Sequence, residues 1–213
     1  PTVFTADIEF AGQVVKLNVT DPVITAGVSI KKTGYAQTMN NNVMRWTVSG
    51  VRNDSTTSLQ SFYWRDTLPT DAVRLTRLVT GTYSTTQTYK VTFTTNLNSQ
   101  WRTAYDNLST AKNYTLDMSS AALGLASNEY VTQFMLSFGI VPAGFHQLTN
   151  ATVDAQTLYA LTNGYKFTNK ADVGGLLGGN WVQSIARWTT SVYSHYVPAK
   201  PAAPKSPKLP RTG

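Results

Sequence analysis

Three residues stand where their chemistry is out of place. In "SIKKTG", Lys32 falls on the same alternating face as Val28 and Ile30. In "SFYWRDTLP", Asp66 shares the face of Phe62, Trp64 and Leu68. In "GYKFTNKADV", Asn169 shares the face of Phe167, Ala171 and Val173, whereas Lys31, Lys166 and Lys170 fall on polar faces. An unpaired ammonium or carboxylate is costly to bury. The three therefore lie at strand ends in water, or form an ordinary buried ion pair, or meet inside and react. Burial disfavours charged forms, so it lowers the pKa of an amine and raises that of a carboxyl. A neutral amine is a nucleophile, and a protonated carboxyl can hydrogen-bond to a carboxamide oxygen and polarise it. Attack of Lys32 on the Asn169 carboxamide would expel ammonia and leave an isopeptide bond, with Asp66 as proton shuttle. Lys31 and Lys16 are the next candidates for the amine. The bond would restrict the unfolded chain as a disulfide does, and it needs neither metal nor cofactor.

The segments that carry these residues read as strands. The period is two in "GQVVKLNV", "VMRWTVSGV", "TYKVTFTTN", "EYVTQFMLSFG" and "WVQSIARWTTSVYSHYV". Many such runs with Gly, Asn and Pro between them predict an all-β chain, an Ig-like β-sandwich. One short helix is expected in "NSQWRTAYDNLST", where Trp101, Tyr105 and Leu108 recur at spacings of four and three and Asn98 or Ser99 could cap it. Residues 1–196 read as one sandwich domain, with 1–27 either strands added to it or the end of a preceding repeat. Residues 197–213 hold Pro, Ala and Lys and no aromatic residue. They read as a disordered, extended, polyproline-like spacer.

Composition supports this division. The 213 residues are 41% hydrophobic, enough for a substantial core, but only 14% charged. Thr, Ser and Asn fill the polar positions, as on a β-sheet surface. There is no Cys, which excludes disulfides and thiolate metal sites. The formal charge is +7, yet the only dense basic stretch is the tail, with Lys200, Lys205, Lys208 and Arg211 among prolines. Without a basic stripe interleaved with aromatics, nucleic acid is not the expected partner. The chain begins at Pro1 and shows neither a signal peptide nor a membrane-spanning run, so it reads as a mature or trimmed fragment.

The ending "LPRTG", Leu209 to Gly213, looks like the LPxTG sorting motif of Gram-positive surface proteins. The body resembles the isopeptide-forming, collagen-adhesin-like sandwich domains of Gram-positive pilins and adhesins. The carrying stretches are "SIKKTG", "FYWRDTLP", "RLVTGTY", "EYVTQFMLSFG" and "YKFTNKADVGG", over roughly residues 28–175. In that family an early-strand Lys joins a late-strand Asn with an Asp between them in sequence, the order of Lys32, Asp66 and Asn169. The resemblance implies an extracellular protein covalently anchored to the cell wall. A sortase Cys would attack the Thr212 carbonyl and release Gly213, and an amine of peptidoglycan or of a pilin Lys would take the acyl group. Pro210 would impose a bend, Leu209 would give an apolar anchor, and Arg211 fills the variable position. Shaft pilins of this kind carry a "YPK"-like motif, which is missing; Lys166 in "NGYKFTN" lacks the proline. That favours a wall-anchored surface protein or a basal pilin.

Two other functions compete. An enzyme acting on an external substrate would have only His146 and His195 as histidines, and no HExxH, GxSxG, P-loop or Rossmann fingerprint is present. "GGLLGGN" lacks a Lys-Ser/Thr partner and reads as a loop, and "DTLPTD" reads as a turn. The second competitor is an adhesin module for a host glycan or protein, using Trp181, Trp188, Tyr193 and Tyr196 if they are exposed.

Overall fold

The computed structural model of the protein describes residues 3–10, 13–20, 24–39 and 43–193. Strands β1 (Val3–Phe10) and β2 (Gln13–Thr20) pair antiparallel as a two-stranded sheet. The chain continues through β3 (Val28–Gly34), β4 (Gln37–Met39), β5 (Val43–Asn53), β6 (Leu59–Thr67), β7 (Val73–Val79), β8 (Thr82–Tyr83) and β9 (Thr88–Thr95). Then come β10 (Arg102–Ser109), β11 (Thr115–Asp117), β12 (Val131–Val141), β13 (Gln147–Thr149), β14 (Ala151–Thr157), β15 (Lys166–Leu177) and β16 (Asn180–Tyr193). A seven-stranded sheet runs β10-β9-β12-β6-β15-β16-β4, a five-stranded sheet runs β11-β7-β14-β5-β3, and β8 and β13 form a small third pair. The described residues are thus all-β, as the period-two pattern predicts.

The two large sheets share one core. Met44, Trp46 and Val48 of β5 and Val153 and Ala155 of β14 supply one side. Phe62 and Trp64 of β6, Phe134 and Leu136 of β12 and Val173 of β15 supply the other. Side chains of this size each contribute about 1.5–3 kcal/mol when fully buried. Two of the large core aromatics find partners inside for their polar ends. Trp64 Nε1 donates to Tyr83 Oη at 2.8 Å, and Tyr83 Oη donates to the Thr80 carbonyl at 2.9 Å. Tyr83 also stacks on Phe145, with ring centroids 5.7 Å apart.

The expected helix over 98–110 is a strand. β10 pairs antiparallel with β9, and its register explains the misleading pattern. Arg102 faces Phe93, Tyr105 faces Val91 and Leu108 faces Tyr89, with register shifts after Thr103 and after Tyr105. Each irregularity inserts one extra residue into β10 relative to β9, so the inward positions recur every third residue. Asn107 takes a left-handed φ of 53° at the second. The proposed caps serve a turn instead, since Asn98 Oδ1 accepts from the Gln100 amide at 2.9 Å.

The glycine run "GGLLGGN" is only half a loop. Gly174 and Gly175 lie within β15, and Gly178–Gly179 make a two-residue turn into β16 with φ of 56° and 81°. Two consecutive positive φ values are what the tight hairpin Leu177–Asn180 demands.

Candidate functional site

The structure brings the three out-of-place residues to one region of the core. Lys32 lies on β3 of the five-stranded sheet, opposite Val48 of β5. Asp66 lies on β6 of the seven-stranded sheet, opposite Phe134 on one side and Ala171 on the other. Asn169, two residues before Ala171 on β15, is on the same inward face. Alternation puts each there: the strand that points Ile30 inward also points Lys32 inward, and Phe62, Trp64 and Asp66 likewise share a direction.

All three are buried, Lys32 at 6% exposure and Asp66 and Asn169 at 0%. Lys32 Nζ donates to Asp66 Oδ2 across the gap between the sheets. The ammonium also sits 5.7 Å from the centre of the Trp46 ring. Asp66 Oδ1 has no hydrogen-bond partner, and neither do Asn169 Nδ2 and Oδ1 or the indole Nε1 of Trp46. Burial pushes the Asp66 carboxyl above the usual carboxylate range, against the opposing pull of Lys32 and the nearby Asn169 carboxamide. Asn169 is thus near enough to act on Asp66 electrostatically while completing no hydrogen bond of its own. Buried polar atoms are almost always paired, so four orphaned atoms beside one amine-carboxyl contact mark a site under chemical tension. Trp46 is a member of the site that its sequence context, an ordinary apolar strand position, does not announce.

Asp154 and His146, by contrast, have partners. Asp154 of β14 lies between Arg45 and Arg77 on the outer face of the five-stranded sheet, with Arg45 Nε at 2.7 Å from Oδ1 and Arg77 Nη2 at 2.6 Å from Oδ2. Burial alone would raise its pKa, but hydrogen bonds from the two guanidiniums outweigh it and hold the carboxyl below its ordinary value. His146 is half-buried, with Nδ1 2.9 Å from the Gly144 carbonyl. Trp181 and Tyr193 are exposed, and Trp188 donates through Nε1 to the Tyr35 carbonyl at 2.9 Å. His195, Tyr196 and the whole segment Leu209, Pro210, Arg211, Thr212 and Gly213 lie outside the described residues.

No protein-family profile and no curated protein matches the sequence. Among solved structures the chain is similar to the collagen-binding domain of a Staphylococcus aureus adhesin, at 14% identity and TM-score 0.34, over 78% of this chain and 99% of that one. It is similar to the collagen-binding subdomain of the Enterococcus faecalis surface protein ACE, at 12% identity and TM-score 0.29, over 78% and 95%. It is also similar to a backbone pilin of Streptococcus pyogenes, at 11% identity and TM-score 0.30, over 84% of this chain and 37% of that one. At TM-scores this low the likenesses carry no functional argument, and sandwich folds host many functions. The residues must decide.

Proposed function

We propose that the chain is a structural stalk module of an extracellular Gram-positive surface protein or basal pilin. In this reading it is stabilised by a self-formed Lys32–Asn169 isopeptide bond and anchored through Leu209–Gly213 by a sortase. The observation that carries the crosslink is the fully buried Lys32–Asp66 contact beside an Asn169 carboxamide with no hydrogen-bond partner. A proton passes from Lys32 Nζ to Asp66, whose carboxyl burial already favours in its neutral form. The neutral amine attacks Asn169 Cγ while protonated Asp66 hydrogen-bonds to Oδ1 and takes up the charge that develops there. Asp66 then relays a proton from Nζ to Nδ2. The Cγ–Nδ2 bond breaks, the Nζ–Cγ bond stays, and ammonia leaves. No external reactant is consumed, and the proton first taken from Lys32 departs with the ammonia as ammonium, which returns Asp66 to its carboxylate form.

The test is an intact mass. Loss of one ammonia makes the protein about 17 Da lighter than its sequence, and a proteolytic digest yields a branched peptide joining Lys32 to Asn169. Asp66→Ala restores the full mass, because the carboxamide is then unpolarised. A wild-type mass equal to that of the sequence would overturn the crosslink.

A further inference from the structure

The outward face of the seven-stranded sheet carries a groove of about 650 Å³, lined among others by Tyr63, Arg65, Lys90, Asp106, Trp181 and Gln183. It lies on the side away from Trp64 and Asp66, and its volume is within the roughly 300–1,000 Å³ usual for small-ligand sites.

Its floor is a constructed network rather than a chance hollow. Tyr63 points outward from β6 yet is only 7% exposed. Its cross-strand partner is Gly174, where a β-carbon would stand 2.8 Å from Tyr63 Oη, so the missing side chain lets the ring lie along the sheet. Tyr63 Oη donates to Asp172 Oδ2 at 3.0 Å and accepts from Gln183 Nε2 at 2.8 Å. Arg65 grips the buried Asp172 carboxylate with two bonds, Nε at 2.9 Å and Nη2 at 2.8 Å, and its guanidinium lies 5.3 Å from the Tyr63 ring centre. Trp181 meets Tyr63 edge-on at 5.9 Å and leaves 54% of its surface in water.

We propose that this groove binds a neutral oligosaccharide, with Trp181 stacking on a sugar ring and the surrounding polar groups bonding its hydroxyls. Three observations select that chemistry. Arg65 is cancelled by Asp172, and the remaining charges, Lys90 and Asp106, are one of each sign, so the lining offers no field for an anion. The groove is floored by β6 and β12 inside the sheet, where the ladders occupy the backbone groups, and only Asp106 reaches it from the edge strand β10, so an extended peptide cannot join it as an added strand. The exposed indole is rimmed by amide, guanidinium, ammonium and carboxylate groups, which suit a ligand with an apolar ring face and a hydroxylated edge, not the apolar core of a protein interface. The site is independent of the crosslink.

The test is binding of the intact chain to an array of neutral, sialylated and sulfated oligosaccharides together with a triple-helical collagen peptide. At least one neutral oligosaccharide should bind. Trp181→Ala should weaken that binding about tenfold or more, as removal of a central aromatic anchor does. Gly174→Ala, which pushes on Tyr63, should weaken it too. Trp101→Ala, at an exposed tryptophan outside the groove, should not, and Trp181→Ala should leave the melting temperature unchanged. Binding to no neutral oligosaccharide, binding confined to the anionic glycans or to the collagen peptide, or neutral binding indifferent to Trp181→Ala would each overturn the proposal.

Discussion

Asn169→Ala isolates the crosslink from everything else at the site. Lys32→Ala would strand the Asp66 carboxylate, and Asp66→Ala would strand the ammonium; either break of a buried pair costs about 3–5 kcal/mol by itself. Asn169 has no hydrogen bond to lose, so its truncation leaves the Lys32–Asp66 pair in place and costs only about 1 kcal/mol of packing. What remains is the bond. Lys32 and Asn169 are 137 positions apart. Closing a loop of that size removes chain entropy worth about 5 kcal/mol at 25 °C, comparable to the whole stability of many domains. For a domain of this length each kcal/mol moves Tm by about 2–4 °C, so the variant should melt about 10–20 °C below wild type. The assay is calorimetry of both proteins, each paired with its intact mass. A wild type lacking the mass deficit, or a variant that loses the deficit yet melts within about 3 °C of wild type, would refute the reasoning.

The other predictions concern separate parts of the chain. Asp154→Asn should cost about 1–2 kcal/mol, because it leaves the half-exposed Arg45 and Arg77 facing each other without their shared anion. The Asp154 pKa is lowered on folding, so its contribution is present above the unfolded value of about 3.9 and lost as pH falls through the folded value. Chemical denaturation of wild type and variant should therefore differ at pH 7 and converge in strong acid. Thr212→Ala should abolish release of Gly213 by a cognate sortase supplied with an amine, as read by mass spectrometry, while the same assay on the unaltered chain gives the transfer product. Deleting residues 197–213 should leave the melting temperature unchanged, because they hold no aromatic residue and only Val197 and Leu209 as large apolar side chains.

The sequence made the inward faces legible wherever a strand pairs regularly. β5, β6, β9 and β15 bury the residues that alternation selects, and this is why Lys32, Asp66 and Asn169 could be picked out by parity. Alternation failed at β10, where two bulges turned a period of two into one of three. It was silent about the outer faces. No local pattern marks Asp172 or Asp154 as buried; only the pairing of Asp172 with Arg65, and of Asp154 with Arg45 and Arg77, shows what holds them there. Tyr63 reads as a surface residue because what covers it, Trp181 and Gln183, arrives more than a hundred positions later. Register between distant strands is not written in any local pattern. Trp181 and the glycine pair at 174 and 175 were the local signals of the groove, the first as an aromatic that could meet a ligand, the second because a glycine inside a strand often marks a close approach.

The same bulges that disguised β10 have a consequence for how the molecule behaves among its neighbours. An edge strand with an even row of free amides and carbonyls is a template on which another copy can grow a continuous sheet. β10 is an edge of the seven-stranded sheet, and its two irregularities break that row. The opposite edge, β4, and the β11 edge of the second sheet are three residues long. The last edge, β3, shifts register between Ser29 and Lys31 and holds the Lys31 side chain out in water. Each border of the two large sheets is therefore too short, too kinked or too charged to zip onto a copy of itself. Two copies of this sandwich can therefore lie side by side without joining their large sheets into one.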